Sequence, residues 1–500
     1  MNNIQILQIG VTNYKNNYCV PEYIDWTFVD DLAEGDKRFF DIILVFDCEG
    51  KRNVEALRQY MQSYRTFVIK DESISYDSEV MALFSCAMAS WLEQEEVQAF
   101  LSHEARNYFT QGYGEKFRMK NLCISPRFQG KIEWSGDYCV WLEGEFGKEY
   151  SQIAYWRNDI PIFQGQAIDL WLEYDKDDTV SIQLEIVQYA KGTLSDVQNH
   201  WVYTEEQMQD IVQIDNDKSA GCFFASVQAK GCGKLKIIAL HDRYSRRGHG
   251  YFIPGGERHV TSAREELFSY FEPGDRKPPL NVYFSGYKTQ QTFEGLYMMR
   301  KMGCPFVLLS EPRLEGGSFY MGSDEYEQMV RKVLQGYLDQ LEFGSEQMIM
   351  SGLSMGTYGA FYYACDFRPH AVLVGKPLAS IGNVASNLTT IRPGDFCTAA
   401  DVLLYLENDL SPKAVERLNR RFWDKFINTE FIDTKFIMSY MIEDDYDTDA
   451  YQKFIENLHG SGVRLYGKGI HGRHNDDTTG VVGWFQNQYI EMIRRDFDRE

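Results

Sequence analysis

The hydrophobic pattern of the chain changes period twice, and the changes divide it into three parts. In the first part, nearly continuous apolar runs alternate with helical patterns. Ile4–Gly10, Asp41–Phe46 and Tyr64–Ile69 read as strands, and Val54, Leu57, Tyr60 and Met61 mark one face of a helix between the last two. A helical region from Ser78 to Tyr108 closes the unit. Apolar strands separated by helices predict a parallel sheet covered on both faces. No glycine fingerprint follows Ile9-Gly10, so the expectation is a Rossmann-like α/β domain over residues 1–115 without a dinucleotide site.

Near Phe117 the period falls to 2. Ile168, Leu170, Leu172 and Tyr174 share a face, Asp175–Asp178 makes a turn, and Val180, Ile182, Leu184 and Ile186 repeat the face. With Lys131–Glu145 and Leu235–Leu240 this predicts an antiparallel β-sandwich over 116–265. An irregular connection with a helical stretch in its middle is expected over Gly248–Pro279. From Leu280 strands and helices alternate again, giving an α/β-hydrolase-like domain over 275–500.

Composition narrows the function classes. Five hundred residues suffice for two or three cores, and a formal net charge of -22 argues against nucleic acid as a partner. Ten cysteines without paired spacing read as reduced thiols rather than disulfides or a metal site. No signal peptide or span-length apolar window is visible, so a cytoplasmic protein is expected, peripheral at a membrane at most. Trp134, Trp141, Trp156, Trp171 and Trp201 invite a sugar-stacking role, although core packing accounts for any one of them more simply.

Candidate chemistry centres on Gly352-Leu353-Ser354-Met355-Gly356, between an apolar run and an Ala- and aromatic-rich helical segment. This is the layout of a nucleophile elbow: Ser354 at the tip of a strained turn, with glycines where strand and helix approach. The motif arises by chance in roughly one chain in six of this size, so it equally describes a Gly-rich turn. Chain order decides for the elbow. Acids (Glu443, Asp444, Asp445, Asp447) follow one later strand and histidines (His471, His474) the last, the order of α/β-hydrolases. His474 lies deeper in its loop and is preferred. The residues alone do not choose among the acids. The Met355 amide and one from Gly286 or Tyr287, after the Asn281–Phe284 strand, are the expected oxyanion donors.

With its Ile-Gln-Ile-Leu-Gln-Ile-Gly opening, Gly352–Gly356 and His471-Gly472-Arg473-His474-Asn475, the chain resembles the family of second accessory secretory proteins of the accessory Sec system of Gram-positive bacteria. The resemblance implies a complex with the other accessory secretory proteins, working with a motor ATPase to export serine-rich repeat glycoproteins. It also implies O-acetylation of N-acetylglucosamine on those glycoproteins by a triad that falls on Ser354, Asp444 and His474. No bound cofactor is implied, and the acetyl donor stays open, acetyl-CoA being one candidate. A plain serine esterase or peptidase, and a non-enzymatic export scaffold, are the alternatives. Everything catalytic follows Leu280, so the front domains are expected to serve docking and to be separable from the enzyme.

Overall fold

The computed structural model describes residues 3–30, 39–46, 54–72, 74–110, 114–193, 195–386, 392 and 396–499. Its first sheet has five parallel strands in the order Ile24–Val29, Ile4–Ile9, Ile42–Val45, Thr66–Ile69, Ser90–Leu92. The predicted strands are present, and two more join them. Ile24–Val29 carries Asp25 and Thr27 among its apolar residues and is largely not buried, and Ser90–Leu92 interrupts the expected helical region. The strand faces carry Ile6, Ile42 and Leu44 into one core and Leu7, Ile43 and Val45 into another.

The second sheet is antiparallel and has ten strands. It is one continuous hydrogen-bonded sheet folded over a single core, not two separate ones. Two long strands, Cys139–Trp156 and Gly221–Tyr244, make the fold-over possible. The second of these slips register around Gly231, whose φ is +100°, a value that costs glycine nothing. Ala167–Lys176 and Val180–Ala190 share that core as expected, but they do not pair as a hairpin. Each pairs with a different half of Gly221–Tyr244. Trp156 and Trp171 are buried, Trp141 and Trp201 pack partly buried against cores, and Trp134 is 46% exposed, so packing accounts for four of the five tryptophans.

The third sheet has eight strands, in the order Glu257–Val260, Glu266–Glu272, Phe306–Ser310, Leu280–Phe284, Met348–Leu353, Ala371–Gly375, Lys435–Met441, Arg464–Ile470. The last six are parallel, and the first two are antiparallel additions at one edge. These additions correct the sequence reading, which ended the sandwich at 265 and expected helix in the connection. Leu267, Phe268, Tyr270 and Phe271 are buried, and an aromatic run of this kind packs better on a pleated surface. Alternate residues enter cores on opposite faces: Val282, Met348, Met350 and Val372 on one, Tyr283, Ile349 and Leu373 on the other. The helices Asp324–Leu341, Met355–Phe367 and Pro412–Ile427 cover the first face, and Thr478–Phe497 covers the second.

From Leu280–Phe284 the chain steps to Phe306–Ser310 on one side and returns to Met348–Leu353 on the other. The strand order reverses there, and the carboxyl ends of Phe284 and Leu353 flank the crevice in which ligands of open α/β sheets bind. Among the described residues no helix is long and apolar enough to cross a membrane.

Candidate active site

Ser354 has φ +51° and ψ -118°, a combination an L-residue holds only under constraint. The constraint comes from both sides. A Cβ on Gly352 would lie 2.5 Å from the Gly356 carbonyl carbon, and one on Gly356 would lie 2.0 Å from the Phe284 oxygen. The Ser354 amide donates to the Gly375 carbonyl at 2.9 Å, and the Thr357 hydroxyl donates to the Ser354 carbonyl at 2.6 Å. Strand, turn and helix are therefore locked, and the side chain is left half-buried at the head of the Met355–Phe367 helix.

The Ser354 hydroxyl lies 2.8 Å from Nε2 of His474, and Nδ1 of His474 lies 2.8 Å from Oδ2 of Asp444. His474 is 1% exposed and Asp444 is buried. The three expected residues thus meet from the ends of three parallel strands. The neighbouring acids each have another task. Glu443 takes the Gly472 amide and the exposed His471, which is thereby excluded from the triad. Asp445 accepts the His474 amide at 3.0 Å and pairs with Arg473. Burial works against its charge, but these two donors outweigh it and hold its pKa low. Asp447 caps the amides of Ala379 and Ser380 at 2.8 and 2.7 Å, and burial pushes its pKa up.

The turn Ser285–Tyr287 lies against the elbow, since a Cβ on Gly286 would be 3.1 Å from the Leu353 oxygen. The Gly286 amide, however, donates to Oε2 of Glu294 at 2.7 Å. That removes Gly286 from the expected oxyanion donors and leaves Met355, whose amide opens the helix and has no intrahelical acceptor, with Tyr287. The Tyr287 ring packs on Phe396 at 5.1 Å and beside Gly316. The loop around Gly316 is folded by the buried Glu311, which accepts the amides of Ser318 and Tyr320 and pairs with Arg313. Arg118 of the second sheet reaches Glu315 of the same loop at 2.6 Å. Sequence reasoning missed Glu294, Glu311 and Arg118, because each acts from an element distant in the chain and carries no motif.

Two further groups support the histidine. Nζ of Lys376 donates to the Asp476 carbonyl and the Thr478 hydroxyl, each at 3.1 Å, tying the histidine loop to the Ala371–Gly375 strand. Burial lowers its pKa, partly offset by the Asp444 carboxylate nearby. Tyr446 stacks on the His474 ring at 4.2 Å with 12° between planes. Chemically, the array can activate a serine hydroxyl for attack on an acyl carbonyl. Among the described residues, Glu173, His241 and Glu266 alone group as metal-type ligands. Glu266 is already held by Arg243 and Arg258, so the group reads as a buried ion cluster.

A family model described as accessory Sec system GspB-transporter matches residues 4–499. The accessory Sec system protein of Staphylococcus aureus is 35% identical over 510 residues, covering 99% of this chain and 97% of the relative. That of Streptococcus gordonii is 34% identical over 509 residues, covering 100% and 99%. The solved Glycosylation Associate Protein (Gap123) complex of Streptococcus agalactiae contains a chain with a TM-score of 0.84 and 32% identity, with 99% of each chain covered.

Proposed function

The chain belongs to the accessory Sec system GspB-transporter family, and on that premise we propose that it is the acyltransferase of this system. In this reading it moves an acetyl group onto N-acetylglucosamine hydroxyls of an exported serine-rich repeat glycoprotein. The observation that carries the reading is the unbroken relay Ser354–His474–Asp444, with both hydrogen bonds at 2.8 Å, on a strained elbow.

The Ser354 oxygen attacks the acetyl carbonyl of the donor while Nε2 of His474 takes its proton. That proton leaves with the donor's departing group, and acetyl-Ser354 remains. A sugar hydroxyl then gives its proton to Nε2 and attacks the acetyl carbon. Ser354 recovers the proton and the sugar ester departs. Asp444 holds the imidazole in the tautomer that presents a free Nε2 and stabilises the imidazolium. Met355 and Tyr287 would supply the amides for the oxyanion. The donor is an activated acetyl compound, acetyl-CoA being one candidate.

Transfer to sugar rather than water requires a place that holds the acceptor. A cleft of about 700 Å³ between the second and third sheets is of ligand size and is lined by Tyr138, Tyr174, Tyr405, Lys236 and Arg264. Its wall at Arg313 and Leu314 begins the loop that ends against the Met355 side chain. Neither Ser354 nor His474 lines this cleft, so we assign it to a distal part of the glycan chain and not to the reacting sugar. The likeness to a chain of a solved complex supports assembly with the other accessory Sec proteins, and the motor ATPase is the proposed downstream partner.

The test is a transfer assay with p-nitrophenyl acetate and an N-acetylglucosamine-bearing peptide, read by mass spectrometry. Acetyl ester on the sugar that disappears in Ser354→Ala is expected. Free acetate alone would make the protein an esterase, and no Ser354-dependent turnover would make it a scaffold.

A further inference from the structure

Tyr446 touches two members of the triad at once. Its ring lies parallel to the His474 imidazole, 4.2 Å away, and its backbone amide donates to Oδ1 of Asp444 at 2.8 Å. The ring is buried and is itself fixed from two sides. The Asn475 side-chain amide donates to its hydroxyl at 3.3 Å, and the Arg392 guanidinium lies 4.0 Å over it. A ring stacked face to face prevents the imidazole from rotating about its Cβ–Cγ bond, and that rotation would break the bonds to Ser354 and Asp444 together. An aromatic face also attracts a cation, so the stack favours the imidazolium that forms as Ser354 loses its proton.

We propose that Tyr446 is the positioning residue of this site, holding the His474 plane through the stacked ring. The inference rests on the acyltransferase reading above. Other groups also surround His474. Asp444 and Asp445 face it from the Glu443–Asp447 loop, and Ser354 faces it from the elbow. Lys376 stands behind Asp444, Arg473 and Asp476 are neighbours in its own loop, and Arg392 lies across the Tyr446 ring. Of these only Arg392 contacts the Tyr446 ring, and Tyr446→Phe keeps both that contact and the stack on His474.

The experiment measures the rate at which a fluorophosphonate labels Ser354 across pH, in the full chain. Tyr446→Phe keeps the ring face and should label within about twofold of the unmodified protein. Tyr446→Leu frees the imidazole, and a misplacement near 1 Å costs on the order of a hundredfold. Labelling at least about tenfold slower is therefore expected. Tyr446→Met is the second variant should leucine destabilise the loop. A folded Tyr446→Leu or Tyr446→Met chain with an unchanged rate overturns the proposal. If the unmodified chain is not labelled, the acyltransferase reading fails instead. NMR of the His474 ring in Ser354→Ala, with and without Tyr446→Leu, then decides the ring's role: loss of the hydrogen-bonded Nδ1–H signal with leucine supports it and an unchanged signal overturns it.

Discussion

At the scale of single residues, glycine sterics and one relay determine the site. Ser354→Ala removes only an oxygen from a half-buried position. The expected outcome is an unchanged melting temperature and a loss of acyl transfer on the order of a thousandfold or more, checked by steady-state kinetics. Gly356→Ala is the opposite case. Its Cβ would stand 2.0 Å from the Phe284 carbonyl, backbone that cannot yield without moving a central strand. We expect destabilisation of at least about 3 kcal/mol by denaturant titration. A Gly356→Ala protein of normal stability would contradict the packing described. Ser354, His474 and the flanking glycines were legible in the sequence because an elbow needs those residue types at that spacing. The acid was not, because four carboxylates within five positions look alike until each one's donor is known. Nor was the loss of Gly286 as an oxyanion donor legible, since Glu294 becomes its partner only in three dimensions.

At the scale of elements, polar residues decided where the sequence pattern misled. Glu266–Glu272 begins and ends with charge and resembles a helix turn, yet it is a buried strand because Glu266 meets two guanidiniums and Glu272 meets Arg300. The Ala400–Glu407 helix docks on the second sheet in a similar way. Asp401 accepts the Asp137 amide at 3.2 Å, and burial pushes its pKa up to about 7. An acid with a raised folded pKa binds its proton more tightly when folded. Its contribution is therefore complete below about pH 4 and is lost as pH rises through about 7. Amide exchange at 136–138 and 400–407 should accelerate between about pH 6 and about pH 8, beyond the intrinsic increase with pH. Asp401→Asn should abolish the extra acceleration, and the same excess in the variant would show that another group titrates.

At the scale of the whole molecule, a cut at Leu280 would not leave the enzyme's sheet intact, because that sheet begins earlier in the chain. A chain begun at Leu280 would lack Glu257–Val260 and Glu266–Glu272, leaving Phe306–Ser310 as a bare apolar edge. It should aggregate rather than retain esterase activity, so docking and catalysis must be separated by point substitutions. The joint between the sheets is ionic. Arg243 of the second sheet and Arg258 of the third both bind the fully buried Glu266. Burial opposes its charge, but the two guanidiniums prevail and leave its pKa at about 2. Such a lowered acid contributes stability above about pH 4.5 that is lost as pH falls through about 2. Glu266→Gln would leave the buried Arg243 without its carboxylate and Arg258 with only the exposed Asp210, and should cost about 3–5 kcal/mol in urea unfolding. The three sheets themselves were legible from the change of hydrophobic period, but their joints were not, since Arg118, Arg243 and Glu266 meet partners far away in the chain. Under the proposed function, Ser354 acetylates the sugars of the exported glycoprotein. Mass spectrometry of those glycans from cells carrying the unmodified chain or Ser354→Ala tests it most directly. Acetylated N-acetylglucosamine in the first and its loss in the second, with the Ser354→Ala protein folded and present at normal level, is the predicted result. Equal acetylation in both would contradict the account.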